Sequence, residues 1–194
     1  GRIGLFLSVD RILGFGWSLP LPFIQRQTDH GIPTYGESAG FSRDDRFINE
    51  LKEELVPAAD GYSFCKNEGA FVRYRQVGDH WEGTTPTGTR MEFGLTPQAR
   101  VRQGMNGTNV FSWLLERQTD TRGNTITFSY ASFPGENNTN QIYLQAVRYG
   151  AGAPPWTNFH FLRFHCEDRP DWFEDCRPGF EVRTGQRLKR IDIG

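Results

Sequence analysis

The chain is poor in the groups that most often carry chemistry. Only three cysteines occur, Cys65, Cys166 and Cys176. An odd, low count fits a fold that does not depend on disulfides, with a Cys166–Cys176 bridge left as an open alternative. Lysine appears only at Lys52, Lys66 and Lys189, so arginine supplies most of the positive charge. A guanidinium has five fixed donors and can bridge carbonyls and carboxylates across a sheet, which reads as structural cross-linking. Net charge is only −1 over 194 residues, and that balance argues against a general nucleic-acid or polyanion binder. No run of about 18 apolar residues exists, so no segment reads as a membrane-spanning helix. The opening GRIGLFLSV is short and lacks a signal-peptide cleavage pattern. The chain has no initiating Met and stops after the strand-like RLKRIDIG. The expectation is a piece of a longer protein.

Aromatic residues and turn-formers are abundant. Phe, Tyr and Trp make up 14% of the chain, and it carries 22 Gly and 11 Pro. Short strands joined by tight turns suit that mixture. The expected fold is mainly β: twisted antiparallel sheets and hairpins over one domain, residues 1–194, with at most one short helix near 43–55. Ala70–Val77 and His80–Thr85 flank Gly78-Asp79 as a hairpin. Thr89–Phe93 follows a turn at Pro86-Thr87-Gly88. Val110–Thr119 and Thr125–Tyr130 flank the turn DTRGN, Asp120 to Asn124. Ile126, Phe128 and Tyr130 alternate with Thr125, Thr127 and Ser129, which predicts one buried and one wet face. Ile142–Tyr149, Phe159–Cys166 and 180–193 complete the strands, the last broken at Gly185-Gln186. Residues 42–56 are ambiguous. Phe47, Ile48, Leu51 and Leu55 fit one helical face behind a Ser42 cap, yet a strand pair also fits.

Candidate chemistry is sparse. His160, His165, Cys166 and Cys176 are zinc-type ligands. However, His165 and Cys166 are adjacent, and neighbours in a strand point to opposite faces. Glu167 to Asp171, with Glu174 and Asp175, reads as an acidic loop. It is either a hard-cation holder or a solvated loop partnered by Arg169 and Arg177. Glu50, Glu53 and Glu54 read as surface carboxylates beside Lys52. No GxSxG occurs, and GFGWS has no helix after it to cradle a phosphate. Arg177, Arg183, Arg187, Lys189 and Arg190 would split between strand faces rather than form one phosphate stripe. Asn106 and Asn137 lie in N-x-T sequons.

The ordered motifs say more than any single one. Gly14, Gly16 and Trp17 lie in GFGWSLPLP. Arg26, Pro33 and Tyr35 lie in RQTDHGIPTY. Trp81 is followed by Gly88 and Arg90 in TGTRMEFG, then by Trp113. Gly123 and Asn124 close the DTRGN turn. Arg169, Pro170 and Asp171 precede Gly179, Phe180 and Arg183 in RPGFEVRTGQRLKRI. This set resembles the N-terminal domain shared by the plasmid virulence protein SpvB and the B components of bacterial toxin (Tc) complexes. The likeness covers roughly residues 10–194. The DTRGN turn is also similar to the YD repeats of Rhs proteins.

That resemblance implies a secreted virulence or insecticidal toxin component and a structural role. It implies a non-catalytic module in a β shell that encloses or presents a toxic polypeptide. Its partners would be the propeller and YD-repeat shell of its own chain and the C and A components of the complex. No cofactor, no metal, no nucleic acid and no direct membrane span are implied. The ADP-ribosyltransferase of SpvB lies in a separate domain bearing a Glu-x-Glu motif, and no Glu-x-Glu occurs in this sequence. Two alternatives stay open. One is a carbohydrate- or host-surface-binding module using Trp156 in the GAPPWTN loop. The other is the N-terminal, translocation-associated half of an ADP-ribosylating effector.

Overall fold

A computed structural model describes residues 19–36, 45–67, 69–104, 106–133, 135, 139–151 and 160–194. The strands are β1 (Phe23–Arg26), β2 (Phe47–Asn49), β3 (Glu54–Pro57), β4 (Ser63–Cys65), β5 (Arg73–Val77), β6 (His80–Thr84) and β7 (Arg90–Phe93). They continue with β8 (Arg100–Arg102), β9 (Val110–Thr119), β10 (Thr125–Ala131), β11 (Tyr143–Ala151), β12 (His160–Asp175) and β13 (Val182–Ile193). The one helical element among the described residues is a 3-10 turn at Pro97–Ala99. The mainly β, antiparallel expectation holds.

Strands β1 to β7 pair in chain order, β7 pairs with β9, and β9 returns to β1. The result is a closed ring of eight antiparallel strands. An eight-stranded barrel is just wide enough for side chains to fill it. Here the filling is aromatic. Phe47 lies 5.0 Å from Trp81 and 5.9 Å from Trp113, and the two indoles meet edge-on at 6.3 Å. Trp81 and Phe93 sit opposite each other across β6 and β7, both almost fully buried. Two glycines make room for them. A Cβ on Gly83 would lie 3.1 Å from the Met91 methyl. At Gly94, with φ +62°, it would lie 2.5 Å from Trp113 Cδ1.

Strand β9 joins everything. Its first half pairs with β1 and β8, and its second half with β7 and β10. Phe111 to Leu115 are buried without alternation, because both faces of the strand are covered. From β10 the sheet runs on through β11 and β12 to β13, which ends the strand order.

The structure settles the ambiguous stretch near 43–55 as a strand pair and not a helix. Phe47 stands opposite Leu55, and both are buried, whereas Leu51 of the supposed helical stripe is exposed at the turn. The Asn49 side chain makes that turn: its Oδ1 accepts from the backbone N–H of Leu51 and of Glu53, each at 3.0 Å. Lys52 takes φ +63° there. Burial of Phe47 inside the ring outweighs the local helical pattern.

Two further expectations need correcting. The acidic stretch 167–175 is not a loop but part of β12. Its ladder is interrupted where Arg169 to Trp172 bulge opposite Gly185, between the pairs Asp168–Gln186 and Phe173–Thr184. Likewise β13 runs through Gly185-Gln186, where the Tyr143 hydroxyl accepts from both backbone N–H groups at 3.2 and 3.3 Å. None of the three cysteines is in a disulfide, so no Cys166–Cys176 bridge forms.

Candidate functional site

The most closely organised polar group among the described residues is an arginine where the ring closes. Arg26 ends β1. Its side chain is 11% exposed and forms an ion pair with Asp45, whose side chain is 3% exposed. Its Nε donates to the Val110 carbonyl at 2.8 Å. The guanidinium carbon lies 5.1 Å from the ring centres of Tyr35 and Phe47 and 5.5 Å from that of Trp113. A planar cation suits a site with faces of π density and a carboxylate at its edge.

Asp45 is saturated in turn. Besides Arg26, it accepts from the backbone N–H of Thr34 at 2.8 Å and of Tyr35 at 3.1 Å, and from the Thr34 hydroxyl at 3.0 Å. Burial lowers the Arg26 pKa, and the Asp45 charge works against that shift. Tyr35 adopts φ +51°, and its hydroxyl donates to the Pro178 carbonyl at 2.6 Å. Burial holds that phenol well above its ordinary pKa. Phe180 lies 6.2 Å from the Tyr35 ring. The chain returns beneath through Gly179, at φ +82°, where a Cβ would meet Ile32 at 2.5 Å. Pro33 is buried nearby. One charge pair thus ties together β1, β2, β9, the 33–35 segment and the 178–180 turn.

Beside this cage lies a cleft of about 490 Å3 lined by Arg26, Tyr35, Gln76, Arg100 and Trp113, among others. Trp113 Nε1 donates to the Asp79 carbonyl at 2.8 Å. Arg100 donates to the carbonyls of Gly94 and Leu95 at 2.7 and 3.3 Å and stands 3.5 Å from Asp79. These bonds hold donors and rings in place. Among the described residues, no group of three or more His, Cys, Asp or Glu could hold a metal ion.

The residues singled out from the sequence fall into several places. Tyr35 and Trp113 face Arg26, Phe180 packs on Tyr35, Gly179 meets Ile32 beside the buried Pro33, and Trp81 lies behind them in the ring. Gly88 meets the DTRGN turn: at φ +86°, a Cβ there would lie 2.6 Å from the Thr121 methyl. In that turn Asp120 accepts from Asn124 Nδ2 at 2.7 Å and from its backbone N–H at 2.8 Å, while Gly123 takes φ +85°. The Asn124 bond, first among several, holds the Asp120 carboxyl below its ordinary range. Arg90 opens β7 on the surface, opposite Thr84 and Thr119.

A separate group forms on the outer hairpin. Arg169 pairs with Asp171 at 2.8 Å and covers Phe173, beside Pro170. Arg183 lies 4.5 Å over Trp172 and 2.6 Å from Glu181. The basic run there is spread over ion pairs. Arg187 and Lys189 meet Glu167, Arg190 meets Asp192, and Arg177 meets Asp175. His165 turns to Asp192 at 2.7 Å, while Cys166 packs on the core. Gly14, Gly16, Trp17 and Trp156 lie outside the described residues. Sequence reasoning missed Asp45, Arg100 and Arg102. Nothing local distinguishes Asp45 from its charged neighbours.

Comparison with known proteins adds the relatives. The family model described as Salmonella virulence plasmid 65kDa B protein matches residues 8–75 and 68–168. The Mono(ADP-ribosyl)transferase SpvB of Salmonella typhimurium is 27% identical over 176 residues, covering 73% of this chain. The SpvB of Salmonella choleraesuis matches to the same extent. The chain spans 30% of the length of these curated relatives. Among solved structures, the N-terminal domain of effector protein SpvB from Salmonella typhimurium strain LT2 superposes with a TM-score of 0.78 at 21% identity. That match covers 96% of this chain and 79% of the other. A chain of the TcdB2-TccC3-Cdc42 crystal structure gives 0.80 at 23% identity, over 96% of this chain and 12% of that one. The Photorhabdus luminescens Tc holotoxin pore gives 0.76 at 21% identity, over 92% and 11%.

Proposed function

The chain belongs to the SpvB family, and from that premise we propose that it is a non-catalytic structural module of a toxin-complex B-type protein. It contributes to the β shell that encloses or presents a toxic polypeptide. It works beside the propeller and YD-repeat parts of its own chain and beside C and A components, in a secreted assembly. The observation that carries this reading is a ring packed with aromatic rings and continued outward as one sheet. That sheet ends at β13, whose Ile191 and Ile193 are 42% and 77% exposed. Across the ladder these residues stand opposite Phe164 and Leu162, so they extend the apolar face of the sheet beyond its covered part. An apolar sheet face beside an edge strand, bridged at Arg183 to Thr139 but ending the strand order, is what a neighbouring sheet needs to pack against and exclude water.

The test is association of the isolated chain. It is expected to bind an apolar dye and to self-associate in sedimentation, and the Ile191→Ser/Ile193→Ser double variant is expected to do neither. A monomeric, dye-silent wild-type chain refutes the shell reading. The effector reading, an N-terminal half of an ADP-ribosylating protein, is favoured by the SpvB relatives. Reading the parent frame beyond Gly194 separates the two. Propeller and YD repeats support the shell, whereas a Glu-x-Glu domain supports the effector.

A further inference from the structure

Strand β8 is unlike the other strands of the ring region. It pairs with β9 alone and lies off the main strand order. Its three residues alternate. Val101 points into the core and is 1% exposed, so Arg100 and Arg102 share the opposite face. Both arginines line two clefts, the one of about 490 Å3 beside Arg26 and a second of about 380 Å3. The second lies between β8 and the segments holding Phe133 and Asn140 to Ile142. Asn140 Oδ1 accepts from the Gly104 N–H at 2.8 Å at one end of it.

The two arginines differ in one respect. Arg100 is used up by the Gly94 and Leu95 carbonyls and by Asp79. Arg102 is half-buried and has neither an ion pair nor a hydrogen bond among the described residues. Among the described residues, Asp79 is the one carboxylate lining either cleft. A half-buried guanidinium keeps up to five donors for an acceptor that comes from elsewhere, and it prefers a bidentate carboxylate or phosphate.

We propose that the clefts flanking β8 take an extended acidic segment of a partner polypeptide, with one of its carboxylates seated on Arg102. The backbone of β8 selects a peptide over a free phosphate. A strand paired on one side offers ladder groups on the other, apart from the Arg100 N–H, which already donates to the Pro97 carbonyl, and an added strand places alternate side chains on one face. A glutamate or aspartate then meets Arg102, and an apolar neighbour faces Phe133 in the second cleft. The near-neutral chain and the clefts' one arginine without an ion pair among the described residues do not suit a nucleic-acid backbone, which needs several phosphate contacts. The site lies apart from the β13 edge, and its test does not depend on the shell reading.

The experiment is fluorescence anisotropy of a labelled short peptide alternating glutamate with valine, titrated with the whole chain. A peptide with glutamine in place of glutamate runs in parallel. Binding of the glutamate peptide alone is expected. Arg102→Gln is expected to weaken it on the order of tenfold, as loss of a charged hydrogen bond does. Asn106→Asp, which sets a negative charge in both clefts without touching the arginine, is expected to weaken it too. It also decides the matter if Arg102→Gln fails to fold. Arg122→Gln, in an exposed turn, is expected to bind like wild type. No binding, equal binding of the glutamine peptide, or indifference to both cleft variants overturns the proposal. Displacement of the peptide by inorganic phosphate or a short RNA at lower concentration than by unlabelled peptide also overturns it, in favour of a phosphate site.

Discussion

Removing the Asp45 carboxylate tests the centre of the fold directly. Asp45→Ala leaves the Arg26 guanidinium buried beneath three aromatic rings with its counter-ion gone, and it strips acceptors from the Thr34 and Tyr35 N–H groups. Breaking a buried pair by removing one partner costs about 3–5 kcal/mol, because the other charge stays buried and uncompensated. At about 2–4 °C per kcal/mol for a chain of this size, the melting midpoint is expected to fall by about 6–20 °C. Urea unfolding followed by tryptophan fluorescence reads the same loss, since Trp81 and Trp113 lie beside the pair. The informative control is the double variant Arg26→Met/Asp45→Leu. If the loss comes from a stranded charge, replacing both partners by apolar groups recovers a large part of it. If the loss comes from the Thr34 and Tyr35 backbone bonds, the double variant stays as unstable as the single one. A single-variant loss below about 1 kcal/mol refutes the reasoning, since it would place the pair in the class of exposed salt bridges.

Gly94→Ala is expected to cost about 2–4 kcal/mol, combining a left-handed backbone with a Cβ driven against Trp113, while Gly61→Ala, left-handed but in open space, costs about 1 kcal/mol. Equal losses in urea midpoints would show that the close approach to the indole does not matter. Tyr143→Phe removes the oxygen that accepts from Gly185 and Gln186 and is expected to cost about 1–3 kcal/mol, with faster amide exchange at those two positions. In the ion pair of Glu92 with Arg117, the hydrogen bond from Arg117 holds the Glu92 carboxyl below its ordinary pKa. A depressed carboxyl stabilises the fold above its unfolded pKa, and that contribution is lost as pH falls through the folded value. The stability of Glu92→Gln is therefore expected to fall less steeply than wild type on the acid side, in urea midpoints measured against pH.

Much of the β architecture was legible in the sequence because turns are local. The strand expected at Val110–Thr119 has those bounds in the fold, and the one expected at Thr125–Tyr130 is extended only by Ala131. Gly78-Asp79 and Asp120 to Asn124 announce hairpins through residue types that suit their own backbone bonds. The alternation in β10 predicted its orientation, and Phe128 and Tyr130 are buried as expected, though Ile126 is only half so. The stretch 42–56 carries two local patterns at once. Four of its five apolar residues, Phe47, Ile48, Leu51 and Leu55, satisfy a helix, and only the ring interior, which accepts Phe47 from a strand, chooses between the two.

What the sequence determined by itself was the class of structure, the positions of several of its turns and the family, since each rests on short-range chemistry or on ordered motifs. The site belongs to the tertiary structure. Arg26 and Asp45 stand 19 residues apart, and Tyr35 reaches Pro178 across 143. Closure of the ring through β9 brings these segments together. The value of each charge follows from that meeting, because burial sets the cost of a charge and only the folded chain supplies its partner.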